Sequence, residues 1–187
     1  MITSKTVILK NVRGSYLNLF EGKVTPPSTT RKWGGTLLMD KVANAADIAA
    51  LQKAIAEINA EATAAKLKPT KFPLHDGALK EDKDGYGANV AYLVCNNRRA
   101  PMVIRARKVG GVFVPITDPL EAYSGAYYNA KVNLYFYDAT KLQGSRGITA
   151  SLEVLQFSKD GETFSHKITT DGLEEVAADV QEDDEIN

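Results

Sequence analysis

Cysteine and histidine are scarce in this sequence, and their scarcity limits the kinds of site it can hold. The 187 residues include one cysteine, Cys95, and two histidines. A single cysteine excludes an internal disulfide and a cysteine-based zinc cluster. Cys95 lies in an apolar run and is expected to be a small core residue. His75 is followed directly by Asp76, but adjacent residues rarely face one substrate as base and acid. We therefore predict no catalytic dyad, no cofactor and no metal site.

Long apolar runs are also missing. None approaches the length needed to span a bilayer, and the first residues lack the basic and apolar regions of a signal peptide. The hydrophobic fraction of 44% is typical of a globular protein, and the length suffices for one domain with a sizeable core. We expect a cytoplasmic protein with no membrane partner.

Basic residues are absent from the C-terminal end, although the net charge of the whole chain is zero. All 23 Lys and Arg lie at or before Lys167, whereas residues 171–187 contain eight acidic residues. Residues 1–170 therefore carry 15 acidic residues and a net charge of +8. Such a basic body attracts polyanions. The charge pattern predicts a folded domain over residues 1–170 and a disordered acidic tail over residues 171–187.

The most informative stretch that is present is residues 125–138, which alternate along a predicted strand. Because successive side chains of a strand point to opposite faces, one face is apolar and consists of Tyr128, Ala130, Val132, Leu134 and Phe136. The other consists of Tyr127, Asn129, Lys131, Asn133, Tyr135 and Tyr137. Exposed aromatics beside a cation suit base stacking next to a phosphate chain. A buried strand whose tyrosine hydroxyls are paired explains the same pattern equally well.

Two further segments combine cations with aromatic or extended sequence. Trp33, the only tryptophan, follows Arg31 and Lys32 at the start of a predicted strand, which fits a stacking residue or a core residue equally. Five cations occur within eleven residues, and no acidic residue lies between Asp84 and Asp118 to pair with them locally. They are expected to follow a phosphate chain: Arg98, Arg99, Arg105, Arg107 and Lys108.

The secondary structure predicted from the sequence is mostly β. One helix is indicated over residues 44–66 by apolar residues at three- and four-residue spacing, with Asn44 as its N-cap. Residues 13–21 and 70–87 are expected to be a turn and a loop. Short strands are predicted over residues 6–13, 36–39, 88–95, 102–109, 112–116, 125–138, 148–157 and 163–168. Many strands with one helix favour a mostly antiparallel barrel or sandwich.

Several segments, taken in order, resemble a family of phage single-stranded DNA-binding proteins. The resemblance covers about residues 7–165 and rests on Arg-Gly-Ser-Tyr at 13–16, Leu-Phe-Glu at 19–21, Pro-Leu-His-Asp-Gly at 73–77, Arg-Ala-Pro at 99–101, Tyr-Ser-Gly-Ala-Tyr-Tyr-Asn at 123–129 and Gly-Ile-Thr-Ala-Ser-Leu at 147–152. Two positions depart from the family pattern. Ala78 replaces an expected acid, and the chain ends in Asn187 without the terminal phenylalanine of related binders.

The resemblance implies an OB-fold-like antiparallel barrel with one α-helix and no catalytic residues. It implies a role in phage DNA replication and recombination, in the cytoplasm of the host bacterial cell. The acidic tail is similar to tails that recruit replication and recombination proteins, here through Glu182, Asp183, Asp184 and Glu185. The candidate DNA-binding residues are Arg13, Tyr16, Arg31, Lys32, Trp33, Arg98, Arg99, Arg105, Arg107, Lys108, Tyr127, Lys131, Tyr135 and Tyr137.

Two other classes of protein remain as alternatives at this point. A metal-dependent nuclease would need acids that converge on a divalent ion, but the acids of residues 1–170 are scattered along the sequence. A phage structural or assembly protein would not bind nucleic acid at all. The sequence does not distinguish binding of DNA from binding of RNA, or of single strands from duplexes. It is also compatible with a homodimer.

Overall fold

The computed structural model describes residues 2–142 and 144–164, which form eight strands and one α-helix. The last predicted strand is not confirmed within this range, since Thr163 and Phe164 are not in a strand; its other residues and the acidic tail lie outside the described residues. The elements are β1 (Lys5–Val24), β2 (Arg31–Asp40), α1 (Ala45–Ala64), β3 (Leu74–Asp76), β4 (Val90–Asn97), β5 (Met102–Val109), β6 (Val112–Pro115), β7 (Tyr127–Asp138) and β8 (Arg146–Lys159).

Five of these strands close into a barrel. The strands follow the order β3-β4-β2-β1-β7-β8-β5-β6, and an additional pairing between β4 and β8 joins β4, β2, β1, β7 and β8 into a ring. The closing pair is parallel, with Cys95 opposite Ala150, whereas the other four contacts of the ring are antiparallel. A five-stranded barrel of this kind is the OB-fold. The predicted fold class, mostly β with an OB-like barrel and one helix, is confirmed.

The interior of the barrel is filled by alternate residues of its strands. On β7, Tyr128, Ala130, Val132 and Leu134 are at most 1% exposed, as the alternation predicted. Cys95 is likewise a core residue, and burial raises the pKa of its thiol to about 12. Removal of these apolar surfaces from water is the main force that holds the strands in register.

Helix α1 packs against β1, β7 and β8 and buries Leu51 and Ile58 completely. Asn44 lies at its N-cap position but does not cap it. Its amide instead donates to the Lys10 carbonyl (2.8 Å), and its side-chain oxygen accepts from the backbone N–H of Asp40 (3.1 Å). Asn44 therefore joins the helix start to β1 and β2. Within the described residues, no helix is both long and apolar enough to cross a membrane.

Strand β1 is more than twice as long as predicted, because residues 13–21 continue it instead of forming a turn. Its pairing with β2 shifts register between Ser15 and Asn18 and again between Asn18 and Lys23. Tyr16 lies in the first of these bulges with φ of +50°. A bulge inserts extra residues and changes the phase of the alternation, so the sequence pattern of a strand is lost there.

The predicted loop over residues 70–87 also contains regular structure. Leu74–Asp76 forms β3, which pairs with β4, and Gly77–Lys80 forms a single 3-10 turn. A strand of three residues is too short to show a period-two pattern. Residues 77–89 then cross the outer face of the barrel before β4 begins.

Candidate nucleic-acid interface

The outer face of β2 and β4 is open at one end only. These are the second and third strands of the barrel, and OB-folds bind oligonucleotides on this face and its adjoining loops. Near the Asp40 end of β2 the face is covered, because the Tyr86 ring contacts Tyr92 edge-on at 5.3 Å and leaves Tyr92 only 5% exposed. The end that begins with Trp33 is uncovered.

A cavity of about 200 Å³ occupies this open end, and we call it the Trp33 groove. The Trp33 side chain is half-buried, and its Nε1 donates to the Phe20 carbonyl at 3.3 Å. Gly22 lies against the indole, where a Cβ would come within 2.6 Å of the ring. The indole is thus held in one orientation while it lines the groove. Other residues of the groove wall are Tyr16, Lys23, Lys32, Val94 and Asn96.

One pair of cations lines the groove, and a second pair lies at the same end of the sheet. Lys32 on β2 is the cross-strand partner of Lys23 on β1, and both line the cavity. The pairing of β2 with β4 puts Asn97 opposite Trp33, so Arg98 and Arg99 follow at the same end. None of the four takes part in an ion pair within residues 2–142 and 144–164. Their field is therefore available to an external polyanion.

Arg31, next to Lys32, uses its guanidinium within the protein. Its Nη1 donates to the Gly22 carbonyl at 3.2 Å and, at 3.5 Å, to that of Glu21. Both carbonyls belong to β1, and the contacts join the two strands of the β1–β2 hairpin beside the indole. The side chain remains exposed.

Three other predicted cations are engaged inside the molecule. Arg13 donates to the carbonyls of Gly125 (2.8 Å) and Glu162 (2.7 Å). Lys131 forms an ion pair with Glu153 (3.2 Å), and Arg105 forms one with Glu121 (2.7 Å). No acidic residue lies near Arg105 in sequence, but the fold brings Glu121 to it from sixteen residues away.

Arg107 and Lys108 lie on the β5–β6 hairpin, away from the Trp33 groove. Gly110 and Gly111 form its turn with φ of +57° and +82°, as their sequence predicted. The Lys108 ammonium lies over the Phe113 ring at 5.0 Å. Both cations are exposed and remain candidates for a separate phosphate contact.

The tyrosines on the outer face of β7 do not line the groove. Tyr127 pairs with Lys159 at one end of the strand, and Tyr137 pairs with Gly147 at the other, with Tyr135 close by. Ten residues of extended strand separate the two ends by roughly 30 Å. All three rings are half-buried. The structure thus divides the predicted aromatic residues between the groove and β7, and the role of the β7 tyrosines stays a prediction.

Some groove residues were not predicted from the sequence. Lys23 lies near the end of β1, where no strand was predicted, and Val94 and Asn96 carry no motif of their own. Only the register of the strands brings them to Trp33. Tyr86, between Gly85 and Gly87, lies in the loop predicted over residues 70–87, where the sequence indicates no role for it.

The neighbouring His75 and Asp76 have separate partners. His75 stacks on Tyr92 at 5.0 Å, and burial lowers its pKa. Asp76 pairs with Lys41 at 2.8 Å, and this hydrogen bond lowers the pKa of the carboxyl. In the part of the chain that the structure describes, no three His, Cys, Asp or Glu side chains converge where they could hold a metal ion.

The barrel topology is that of an OB-fold, and a cationic groove with an aromatic wall lies at one end of its second and third strands. Residues 5–186 match the family model of the Enterobacter phage Enc34 ssDNA-binding protein. The chain belongs to this family, a non-catalytic class of protein.

Solved structures and a curated protein show further similarity. The single-stranded DNA-binding protein of bacteriophage Enc34 in complex with ssDNA has a TM-score of 0.73 at 19% identity, over 86% of this chain and 89% of the other. The single-stranded DNA-binding protein gp2.5 of bacteriophage T7 has a TM-score of 0.56 at 12% identity, over 94% and 99%. Protein p50 of Acyrthosiphon pisum secondary endosymbiont phage 1 is 39% identical over 102 residues, which are 52% of this chain and 47% of that protein.

Proposed function

We propose that this protein binds single-stranded DNA without catalysis and that the Trp33 groove is its principal binding site. The observation that carries the proposal is that Lys23 and Lys32 line a groove beside an oriented tryptophan, while Arg98 and Arg99 follow β4 at the same end of the sheet. Lys23 and Lys32 belong to one hairpin and Arg98 and Arg99 come much later in the chain, and β2 and β4 form the face that OB-folds use for oligonucleotides. Family membership and the DNA complex of the Enc34 protein support it.

The chemistry of the groove fits a strand that is bound largely without regard to sequence. Bases stack on Trp33 and Tyr16, and each stack contributes about 1–3 kcal/mol whichever base is present. The four cations contact phosphates, and each contact on a single strand lowers the slope of log affinity against log salt by about 0.7. Arg107, Lys108 and the β7 tyrosines are candidates for contacts with a longer strand. Arg13, Arg31, Arg105 and Lys131 are expected to contribute less, because their charged groups already have partners in the protein.

The biological role that we propose is protection and handling of single strands during phage DNA replication and recombination. A protein with this role acts where the phage genome is copied, in the host cytoplasm. Sequence-tolerant stacking suits the role, because every exposed strand has to be covered.

Oligonucleotide binding should change the emission of Trp33. We expect an unlabelled single strand to quench the fluorescence, since a base stacked on the indole replaces water in the groove. Fluorescence anisotropy with matched single and duplex oligonucleotides at two salt concentrations gives the affinities. The dissociation constant obtained from the quenching titration should equal the one obtained by anisotropy.

Two outcomes would contradict the proposal. Binding with no change in emission would move the site away from Trp33. No binding of either oligonucleotide at low salt would favour the phage structural or assembly protein instead.

We further propose that the acidic tail competes with DNA for the basic groove and recruits partner proteins through Glu182, Asp183, Asp184 and Glu185. The support is its charge, because residues 171–187 carry eight acidic residues and no basic one, against +8 for residues 1–170. A tethered polyanion has a high effective concentration at a basic surface.

Deletion of residues 171–187 should raise the affinity for single strands at low salt. The gain should shrink as salt screens the attraction, and anisotropy at several salt concentrations measures both effects. An equally tight complex before and after truncation at low salt would show that the tail does not compete.

A further inference from the structure

Tyr16 occupies a place that a stacking residue needs, in a backbone conformation that few residues adopt. Its φ of +50° lies in the left-handed region, which is costly for a bulky side chain and persists only where the surrounding structure enforces it. The side chain is 56% exposed. It lines the Trp33 groove and also a second cavity, of about 380 Å³, whose wall includes Ser15, Ser124 and Phe164. The ring therefore stands at the junction between two cavities.

The backbone on both sides of Tyr16 is held by side chains from elsewhere in the fold. Ser15, which is 2% exposed, accepts a hydrogen bond from the Tyr86 hydroxyl at 3.3 Å. The backbone N–H of Leu17 donates to Ser124 Oγ at 3.1 Å. Burial raises the pKa of Tyr86, so its hydroxyl keeps the proton that it donates.

Tyr86 also contacts the Tyr16 ring itself. The two ring centroids are 6.5 Å apart with an interplanar angle of 47°, within the range of favourable aromatic pairs. On its other side Tyr86 meets buried Tyr92 edge-on at 5.3 Å, and Lys80 lies over both rings at 5.6 and 5.0 Å. Tyr86 thus connects an exposed ring to a rigid part of the barrel.

The Gly-Tyr-Gly sequence at residues 85–87 explains how Tyr86 reaches this position. Gly85 has φ of +81°, and a Cβ there would overlap the Phe164 ring. Only glycine lets the chain pass so close to Phe164 in this conformation. Residues 77–89, which cover one half of the β2–β4 face, thereby place the Tyr86 ring at the edge of the open half.

We propose that Tyr86 is a positioning residue that holds Tyr16 as a stacking surface for bases in the Trp33 groove. The inference rests on the proposed binding of single-stranded DNA and adds residues 77–89 to the binding machinery. Tyr86 acts through Tyr16, by the contact between the two rings and by the hydrogen bond from its hydroxyl to Ser15. Replacement of Tyr86 therefore removes no contact with a phosphate.

A double-mutant cycle on the full chain tests this proposal. The affinity of every variant for the same fluorescently labelled single strand is measured by anisotropy. Tyr16→Ala should weaken binding at least about fivefold, the loss of one stacked base. Tyr86→Ala should weaken it about threefold in the wild-type background and hardly at all in the Tyr16→Ala background, because the two residues act as a unit. Tyr86→Phe, which keeps the ring and the fold, should lie between wild type and Tyr86→Ala. The salt slope should be unchanged in every variant.

His75→Ala is the matched control. It removes a ring from the same aromatic row but touches Tyr92 rather than Tyr16, so it should lower the melting temperature and leave the affinity unchanged. The proposal would be overturned if Tyr86→Ala reduced the affinity equally in the wild-type and Tyr16→Ala backgrounds. It would also be overturned if folded Tyr86→Ala bound with wild-type affinity. If the wild type binds single strands and Tyr16→Ala binds equally well, this inference fails and the proposed function stands. If the wild type does not bind, the proposed function itself fails.

Discussion

Replacement of Lys32, Arg98 and Arg99 together by alanine is expected to reduce the affinity for single-stranded DNA about 100-fold at 0.1 M salt. The three side chains lie at the Trp33 end of β2 and β4 and have no ion-pair partner among the described residues. If each contacts one phosphate, the slope of log affinity against log salt should become less steep by about 2, since fewer counterions are released. Anisotropy titrations over a range of salt concentrations measure both quantities.

The control for this variant removes the same charge elsewhere. Lys53, Lys66 and Lys68 lie on or just after α1, which begins beyond the far end of β2. Lys66 has φ of +59° and is best replaced by asparagine, which tolerates this conformation; the other two can become alanine. In the control variant, the slope of log affinity against log salt should stay close to that of the wild type. Equal slopes in the two variants would mean that only the total charge matters and that the groove is not the phosphate site.

Tyr128→Ala is expected to be the most destabilising single substitution of the β7 strand, by about 3–5 kcal/mol in the free energy of unfolding. The side chain is fully buried, its ring meets Phe157 edge-on at 6.0 Å, and its hydroxyl donates to the Tyr123 carbonyl at 2.8 Å. Truncation leaves a cavity and removes the shorter of the two hydrogen bonds to the Tyr123 carbonyl, which keeps only the one from the Ala126 N–H at 3.4 Å. Urea or thermal unfolding followed by circular dichroism measures the loss, which is a large part of the about 5–15 kcal/mol that stabilises a typical domain.

Two further variants separate the causes of this loss. Tyr128→Phe keeps the ring and removes only the hydroxyl, so about 0.5–1.5 kcal/mol should be lost with its hydrogen bond, since the Tyr123 carbonyl still accepts from the Ala126 N–H. Tyr135→Ala removes a half-buried ring from the opposite face of the same strand and should cost clearly less than Tyr128→Ala. Equal costs for Tyr128→Ala and Tyr135→Ala would show that both faces of β7 are buried under these conditions.

The local features of this protein follow from the sequence alone. Alternation along residues 125–138 assigned Tyr128 and Leu134 to the core, since side-chain direction on a strand depends only on position. The limits of β5 and the turn at Gly110 and Gly111 are set by residues that are adjacent in the chain. Helix α1 was predicted within two residues at each end, because its apolar spacing is also local.

Only the tertiary structure determined which of the candidate residues share a site. Arg98 lies at the Trp33 end of the sheet because β4 pairs with β2 so that Asn97 is opposite Trp33. Lys23 lies there too because bulges let β1 continue through a stretch that lacks strand periodicity. Arg105 has Glu121 as a partner although the acid is sixteen residues away in sequence. Register, bulges and barrel closure depend on contacts between distant segments, whose energies no local pattern of residues contains. For that reason the sequence predicted most of the cations and aromatic residues of the candidate site, whereas the fold decided which of them lie together and added Lys23.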